Sequence, residues 1–90
     1  MACRSPDPEA LEIMWQHVAR MVEVTDAEVA HAMGTCFECT HNVAEGAGAA
    51  SLAAALQERK RLAGQRVGIV LSGGNVDRDV FAAVLNGPRA

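Results

Sequence analysis

Residues 67–77 read Val67-Gly68-Ile69-Val70-Leu71-Ser72-Gly73-Gly74-Asn75-Val76-Asp77, an apolar run followed by a hydroxyl, two glycines and an amide. A short apolar run bounded by glycine is typical of a buried parallel strand. In open α/β sheets, ligands bind beyond the carboxyl ends of such strands, and glycine lets the backbone approach a ligand closely. The segment therefore predicts a buried strand over 66–71 that leads into a ligand-binding loop at Ser72.

Capping residues and apolar periodicity divide the whole chain into six predicted elements. Asp7 is a good helix N-cap, and Thr25 with Glu28 matches the capping box of a second helix. Gly64 is suited to end a helix. The elements are, in order, a helix over 7–20, a strand over 21–24, helices over 25–40 and 46–61, a strand over 66–71 and a helix over 77–85.

The predicted order of elements, helix-strand-helix-helix-strand-helix, indicates an α/β fold with a parallel sheet between layers of helices. Two short strands do not form such a sheet by themselves. We therefore expect a partial three-layer αβα large domain with an incomplete sheet. The chain shows no repeat and no linker, so residues 1–90 are predicted to form one segment without a second domain.

Composition and charge exclude several classes of protein. The net charge of −3 and the pI of about 5.5 argue against a nucleic-acid-binding protein, which would carry a basic face. No apolar run is long enough to cross a membrane, and charged residues interrupt any signal-peptide core at the N-terminus. Three cysteines do not complete a set of disulfides, so a cytoplasmic location is expected.

Cys36 and Cys39 form a C-x-x-C motif with His41 close by. A structural zinc site normally needs four ligands, and the chain has no second pair of cysteines. Redox C-x-x-C motifs lie at a helix N-terminus, whereas this one is predicted late in a helix. We therefore predict no metal site here and interpret both cysteines as buried small hydrophobic residues.

A second segment of small residues, Ala44-Glu45-Gly46-Ala47-Gly48-Ala49-Ala50, lies upstream of Ser72. In this order and separation the two segments resemble the threonine/serine dehydratases, which are fold-type II enzymes dependent on pyridoxal phosphate. The resemblance extends from about Ala2 to Val80 and covers the C-terminal portion of the family's large domain. Its other anchor points are Arg4-Ser5-Pro6, the segment 22–28 and Thr40-His41-Asn42.

The resemblance implies that pyridoxal phosphate is the cofactor and that five residues lie beside it. A serine at the position of Ser72 hydrogen-bonds the pyridine nitrogen in that family, while Gly73 and Gly74 let the loop pass beside the ring. Asn75 is expected to fix the loop. Glu45 is either the family's glutamate near the ring edge or simply a carboxylate stabilised at a helix N-terminus.

The resemblance also implies what the chain lacks. Family members hold the cofactor covalently through a lysine in an N-terminal stretch that has no counterpart here, and the glycine-rich phosphate loop is also missing. Lys60 lies between two arginines, in a solvated position, and is a poor substitute. We therefore name no catalytic residue and expect a C-terminal fragment of a dehydratase that is inactive as an isolated chain.

The implied partners are the remainder of the large and small domains and, in the complete homo-oligomeric enzyme, a hydroxy amino acid. Threonine, serine and hydroxyaspartate remain open as substrates, and racemisation remains open beside dehydration. The alternative is a non-catalytic α/β module that binds a partner, or a split-enzyme subunit, derived from the same family. A fragment would expose apolar strand edges and helix faces, whereas an independent module would be a stable soluble monomer.

Overall fold

The computed structural model describes residues 4–87, so Ala2, where the resemblance begins, lies outside the described part of the chain. Within that part the secondary structure is helical. The helices are α1 (Pro8–His17), α2 (Asp26–Thr40), α3 (Gly46–Gln57), α4 (Arg59–Leu62) and α5 (Arg78–Leu85). None of them is long and apolar enough to cross a membrane.

Capping hydrogen bonds fix the starts of α1 and α2, as the sequence predicts. The Asp7 side chain accepts from the backbone N–H of Glu9 at 3.0 Å. In the capping box of α2, Thr25 Oγ1 accepts from the Glu28 N–H at 3.1 Å, and Glu28 Oε1 accepts from the Thr25 N–H at 2.9 Å. These local hydrogen bonds satisfy N–H groups that have no partner inside a helix.

The helix ends agree less closely with the sequence prediction than the starts. α1 ends at His17, three residues before the predicted Arg20. The helix predicted over 46–61 is interrupted at Glu58, and the Arg59 guanidinium caps the end of α3 by donating to the Leu56 carbonyl at 2.9 Å. Gly64 has a φ of +80°, which confirms it as a stop after α4.

Two predicted strands are absent from residues 4–87, so the predicted α/β fold is wrong for this structure. Segments 21–24 and 66–71 have irregular backbone and form no ladder of hydrogen bonds with each other. A strand is stable only when a neighbour pairs with its N–H and C=O groups, and neither segment has such a neighbour here. The apolar run is also exposed instead of buried, with Val70 at 76% of its free surface.

The hydrophobic core lies between α2 and α3 and consists mainly of small side chains. Met33 and Val29 are its larger members, and Ala32 and Ala49 are completely buried. Such small residues let two helices approach closely, because few side-chain atoms separate the two backbones. The buried residues are Val29, Ala32, Met33, Cys36, Ala44, Ala49 and Ala53.

The flanking elements attach to this core to different degrees. α5 packs on α2, where the rings of Phe37 and Phe81 meet edge to face with centroids 5.6 Å apart. α1 lies apart, since no other helix of residues 4–87 comes within 8 Å of it between Cα atoms. Trp15 in α1 is consequently exposed over 79% of its surface.

Polar contacts hold the segment after α1 against the end of α3. Arg20 forms an ion pair with Glu58 through both guanidinium nitrogens. Gln57 Nε2 donates to the Glu23 carbonyl at 2.8 Å and to the Glu28 carboxylate at 3.1 and 3.3 Å. Glu28 therefore both caps α2 and receives a hydrogen bond from α3.

The Glu28 carboxylate makes the stability of the fold depend on pH. The Thr25 backbone N–H, followed by the Gln57 amide, lowers the pKa of Glu28 below its ordinary 4.5. A lowered folded-state pKa contributes stability above the ordinary value, and this stability is lost as pH falls through the folded-state pKa. We expect Glu28→Gln to be less stable than wild type at pH 7, and the difference to vanish under more acidic conditions. Urea unfolding of both proteins at pH 7 and at successively lower pH measures this difference in the free energy of unfolding. A difference that did not change with pH would contradict the stabilising role of the ionised Glu28 carboxylate.

Candidate functional site

The Ser72 loop, residues 72–75, lies against the N-terminal turn of α3. The Glu45 backbone N–H donates to the Gly73 carbonyl at 2.9 Å, which joins the N-cap of α3 to the middle of the loop. The two small-residue segments, more than twenty residues apart in sequence, therefore meet in space. This juxtaposition forms the candidate site.

Two glycines allow the loop to approach the backbone of α3 and of the segment that precedes it. A Cβ atom placed on Gly48 would lie 2.5 Å from the Gly73 carbonyl oxygen, and one on Gly74 would lie 2.6 Å from the Val43 carbonyl oxygen. Both distances are far below van der Waals contact, and a backbone carbonyl has little freedom to move away. Gly48 and Gly74 thus fix the path of the loop.

The Glu45 carboxylate lies beside the loop. A Cβ atom on Gly73 would lie 2.6 Å from Glu45 Oε1, so the carboxylate occupies the space next to that glycine. Although Glu45 is the N-cap of α3, its side chain makes no capping hydrogen bond. Its position is therefore compatible with both roles considered from the sequence, a dipole-stabilised carboxylate and a group facing a ligand.

The polar side chains of the loop are exposed. Neither the Ser72 hydroxyl nor the Asn75 amide makes a hydrogen bond within residues 4–87. Backbone contacts hold the loop instead, including a 3.1 Å hydrogen bond from the Val76 N–H to the Gly74 carbonyl. The Ser72 hydroxyl is thus exposed and makes no hydrogen bond within residues 4–87.

Sequence reasoning missed two residues of this site. Val43 receives the close approach of Gly74, and Ser51 Oγ on α3 donates to the Val70 carbonyl at 2.7 Å. Ser51 follows Gly48 by three residues and therefore lies on the same helix face. That spacing is the signal that could have identified Ser51.

Other candidate groups lie outside the site. Lys60, the single lysine of the chain, is exposed in α4 between two arginines. Within residues 4–87, no three side chains of His, Cys, Asp or Glu are grouped as a metal ion requires. Cys36 is buried, as predicted, but Cys39 is exposed, so that prediction is wrong for the second cysteine.

An open groove of about 850 Å³ between α2 and α5 is also separate from the Ser72 loop. Its walls are mainly apolar residues, together with Thr35, His31 and Glu38. The His31 ring and the Thr35 hydroxyl are 3.5 Å apart within it. None of the five sequence-predicted site residues lines this groove.

Comparison with known proteins shows a family match over most of the chain. The family model of the pyridoxal-phosphate dependent enzymes matches residues 1–73, a range that includes Glu45, Ser72 and Gly73. The L-threonine ammonia-lyase of Thermotoga maritima is 36% identical over 86 residues, which are 96% of this chain and 21% of that enzyme. No solved structure matches the chain.

Two further relatives have related names. The L-threo-3-hydroxyaspartate ammonia-lyase of a Pseudomonas species is 36% identical over 75 residues, 83% of this chain and 24% of that protein. The beta-hydroxyaspartate dehydratase of Paracoccus denitrificans is 38% identical over 63 residues, 70% of this chain and 20% of that protein. The chain thus spans about a fifth to a quarter of the length of the curated relatives it matches. It belongs to the family of pyridoxal-phosphate-dependent enzymes.

Proposed function

We propose that this chain forms part of a pyridoxal-phosphate-dependent ammonia-lyase that acts on a β-hydroxy amino acid, with the Ser72 loop against the pyridine side of the cofactor. The observation that carries the proposal is the exposed Ser72 hydroxyl, which is free of hydrogen bonds within residues 4–87, on a loop packed against the N-terminus of α3. The relatives named as ammonia-lyases and dehydratases supply the reaction class.

The residues present fit one side of the cofactor. A hydroxyl can hydrogen-bond the pyridine nitrogen, and the glycines at 73 and 74 leave the loop without side chains that would obstruct a flat ring. Glu45 would lie near the ring edge, and Asn75 would fix the loop. The chain does not supply a covalent attachment point at this loop, because Lys60 lies in α4.

Ser72 would also influence the chemistry. When bound, pyridoxal phosphate supplies an electron sink for negative charge that develops at Cα of the amino acid. A neutral hydroxyl at the pyridine nitrogen does not enforce its protonation as a carboxylate would, so Ser72 would moderate that sink. A moderated sink suits β-elimination, in which the Cα proton and the β-hydroxyl leave as water.

The net reaction neither consumes nor releases water. After elimination, the released enamine hydrolyses to a 2-oxo acid and ammonia, so the water lost in the first stage is regained in the second. None of the site residues named here is placed to move the Cα proton, so we assign that step to the remainder of the enzyme. Threonine, serine and hydroxyaspartate all satisfy this scheme.

Exposed apolar residues support the need for that remainder. Trp15 and Met21 expose 79% and 76% of their surfaces, and Val70, two residues before Ser72, exposes 76%. Side chains of this size are usually covered in a complete domain. We propose that the remainder of the large domain covers them and that the isolated chain does not catalyse the reaction.

A hybrid enzyme tests the proposal. In it, the matching 86-residue segment of the Thermotoga maritima L-threonine ammonia-lyase is replaced by the corresponding residues of this chain. We expect the hybrid enzyme to bind pyridoxal phosphate, and Ser72→Ala to weaken that affinity about tenfold, the effect of losing one hydrogen bond of about 1.4 kcal/mol. Equilibrium titration of the apo form with the cofactor measures the affinity.

Ser72→Thr is the matched control because it keeps a hydroxyl at the same position. We expect its affinity for the cofactor to lie closer to wild type than that of Ser72→Ala. Equal affinities in all three proteins would contradict the proposed role of Ser72. A hybrid enzyme that folds but does not bind pyridoxal phosphate would favour the alternative, a module that has kept the fold segment and binds a partner instead.

A further inference from the structure

Two hydrogen bonds from α3 bracket Ser72. On one side, Ser51 Oγ donates to the Val70 carbonyl at 2.7 Å. On the other side, the Glu45 N–H donates to the Gly73 carbonyl at 2.9 Å. The chain from 70 to 73 therefore runs antiparallel to α3 and is anchored at both ends, with Ser72 between the anchors.

The segment between the two anchors is short. Residues 45 and 51 are separated by six residues, which correspond to about 9 Å along a helix. The three Cα–Cα steps from residue 70 to residue 73 span about 10 Å when fully extended. Residues 70–73 are thus held at both ends, and we expect the loss of either anchor to let Ser72 move.

Ser51 uses its hydroxyl in an unusual way for a helical serine. Such a hydroxyl commonly bonds back to the carbonyl four residues earlier in its own helix. Ser51 instead reaches across to another segment, and it is the one hydroxyl-bearing residue of α3. Its neighbours in the helix are mainly alanines, which have no polar group to replace it.

We infer that Ser51 is a positioning residue. Its hydrogen bond to Val70 holds the segment before Ser72 so that the Ser72 hydroxyl faces the cofactor. The inference rests on the proposed function for the identity of the ligand. The anchoring itself does not depend on any ligand and is measured without one.

Amide hydrogen exchange of the 90-residue chain, measured by NMR, tests the anchoring. The Glu45 amide reports directly on its hydrogen bond to Gly73, while the Met33 amide in α2 reports on global stability. In Ser51→Ala we expect the Glu45 amide to exchange about fivefold faster with the Met33 amide unchanged, and Ser51→Thr to restore slow exchange. An unchanged Glu45 amide, or an equal acceleration of both amides, would overturn the inference.

A double-mutant cycle in the hybrid enzyme tests the link to Ser72. We expect Ser51→Ala to weaken the affinity for pyridoxal phosphate about fivefold, and to have no further effect once Ser72 is alanine. The inference would be overturned if the two substitutions lowered the affinity for pyridoxal phosphate independently, so that their fold-changes multiplied. It would also be overturned if Ser51→Ala alone left the affinity unchanged. If Ser72→Ala itself leaves the affinity unchanged while the Glu45 amide responds, the proposed function fails but the anchoring stands.

Discussion

Gly48→Ala is expected to destabilise the chain by about 2–3 kcal/mol, because the new methyl group would overlap backbone atoms in a packed contact. Its Cβ would lie 2.5 Å from the Gly73 carbonyl oxygen and 3.0 Å from the Gly73 nitrogen. Relief requires the Ser72 loop to move away from α3, which also breaks the hydrogen bond from Glu45. Urea unfolding followed by circular dichroism measures the change in the free energy of unfolding.

Gly34→Ala is the matched control for this experiment. Gly34 also lies in a helix, but a Cβ placed on it would meet nothing within 4 Å. Alanine is favoured over glycine in a helix by roughly 0.5–1 kcal/mol, so this variant is expected to be more stable than wild type. If Gly48→Ala lowers the free energy of unfolding and Gly34→Ala raises it, the destabilisation by Gly48→Ala comes from its contact with the Ser72 loop. Equal effects would contradict the close approach of the Ser72 loop to α3.

Ala49→Leu is expected to have an effect of similar size, a loss of about 3 kcal/mol. Ala49 is completely buried between α2 and α3 among other small side chains. Three additional carbon atoms at this position would force the two helices apart, because tightly packed cores have no space for them.

Ala47→Leu, two positions earlier on the same helix, is the control because Ala47 is exposed. We expect its unfolding free energy to remain within about 0.5 kcal/mol of wild type. If the two leucine variants were equally stable, the interface between α2 and α3 would be loosely packed, contrary to the structure.

The helix starts could be predicted from the sequence because their causes are local. Asp7 and the pair Thr25 and Glu28 make hydrogen bonds to backbone groups within three residues, so the sequence contains both donor and acceptor. The proximity of Glu45 to the Ser72 loop could also be predicted, because the resemblance to the dehydratase family implies that both lie beside the cofactor.

The strands could not be predicted correctly because strand formation is not a local property. Val67–Leu71 has the composition of a buried strand, but composition does not provide the neighbour that must pair with it. In residues 4–87 no backbone group pairs with this run, and its side chains remain exposed. Ser51 was overlooked for a similar reason, since its hydrogen bond joins residues 19 positions apart.

A crystal structure of the hybrid enzyme with pyridoxal phosphate would test the proposed role of the Ser72 loop most directly. We expect Ser72 Oγ within about 3 Å of the pyridine nitrogen, with Gly73 still bonded to the Glu45 N–H and the loop in contact with Gly48. A pyridine nitrogen bonded to another group, with Ser72 turned away from the ring, would contradict the assignment of this loop to the cofactor.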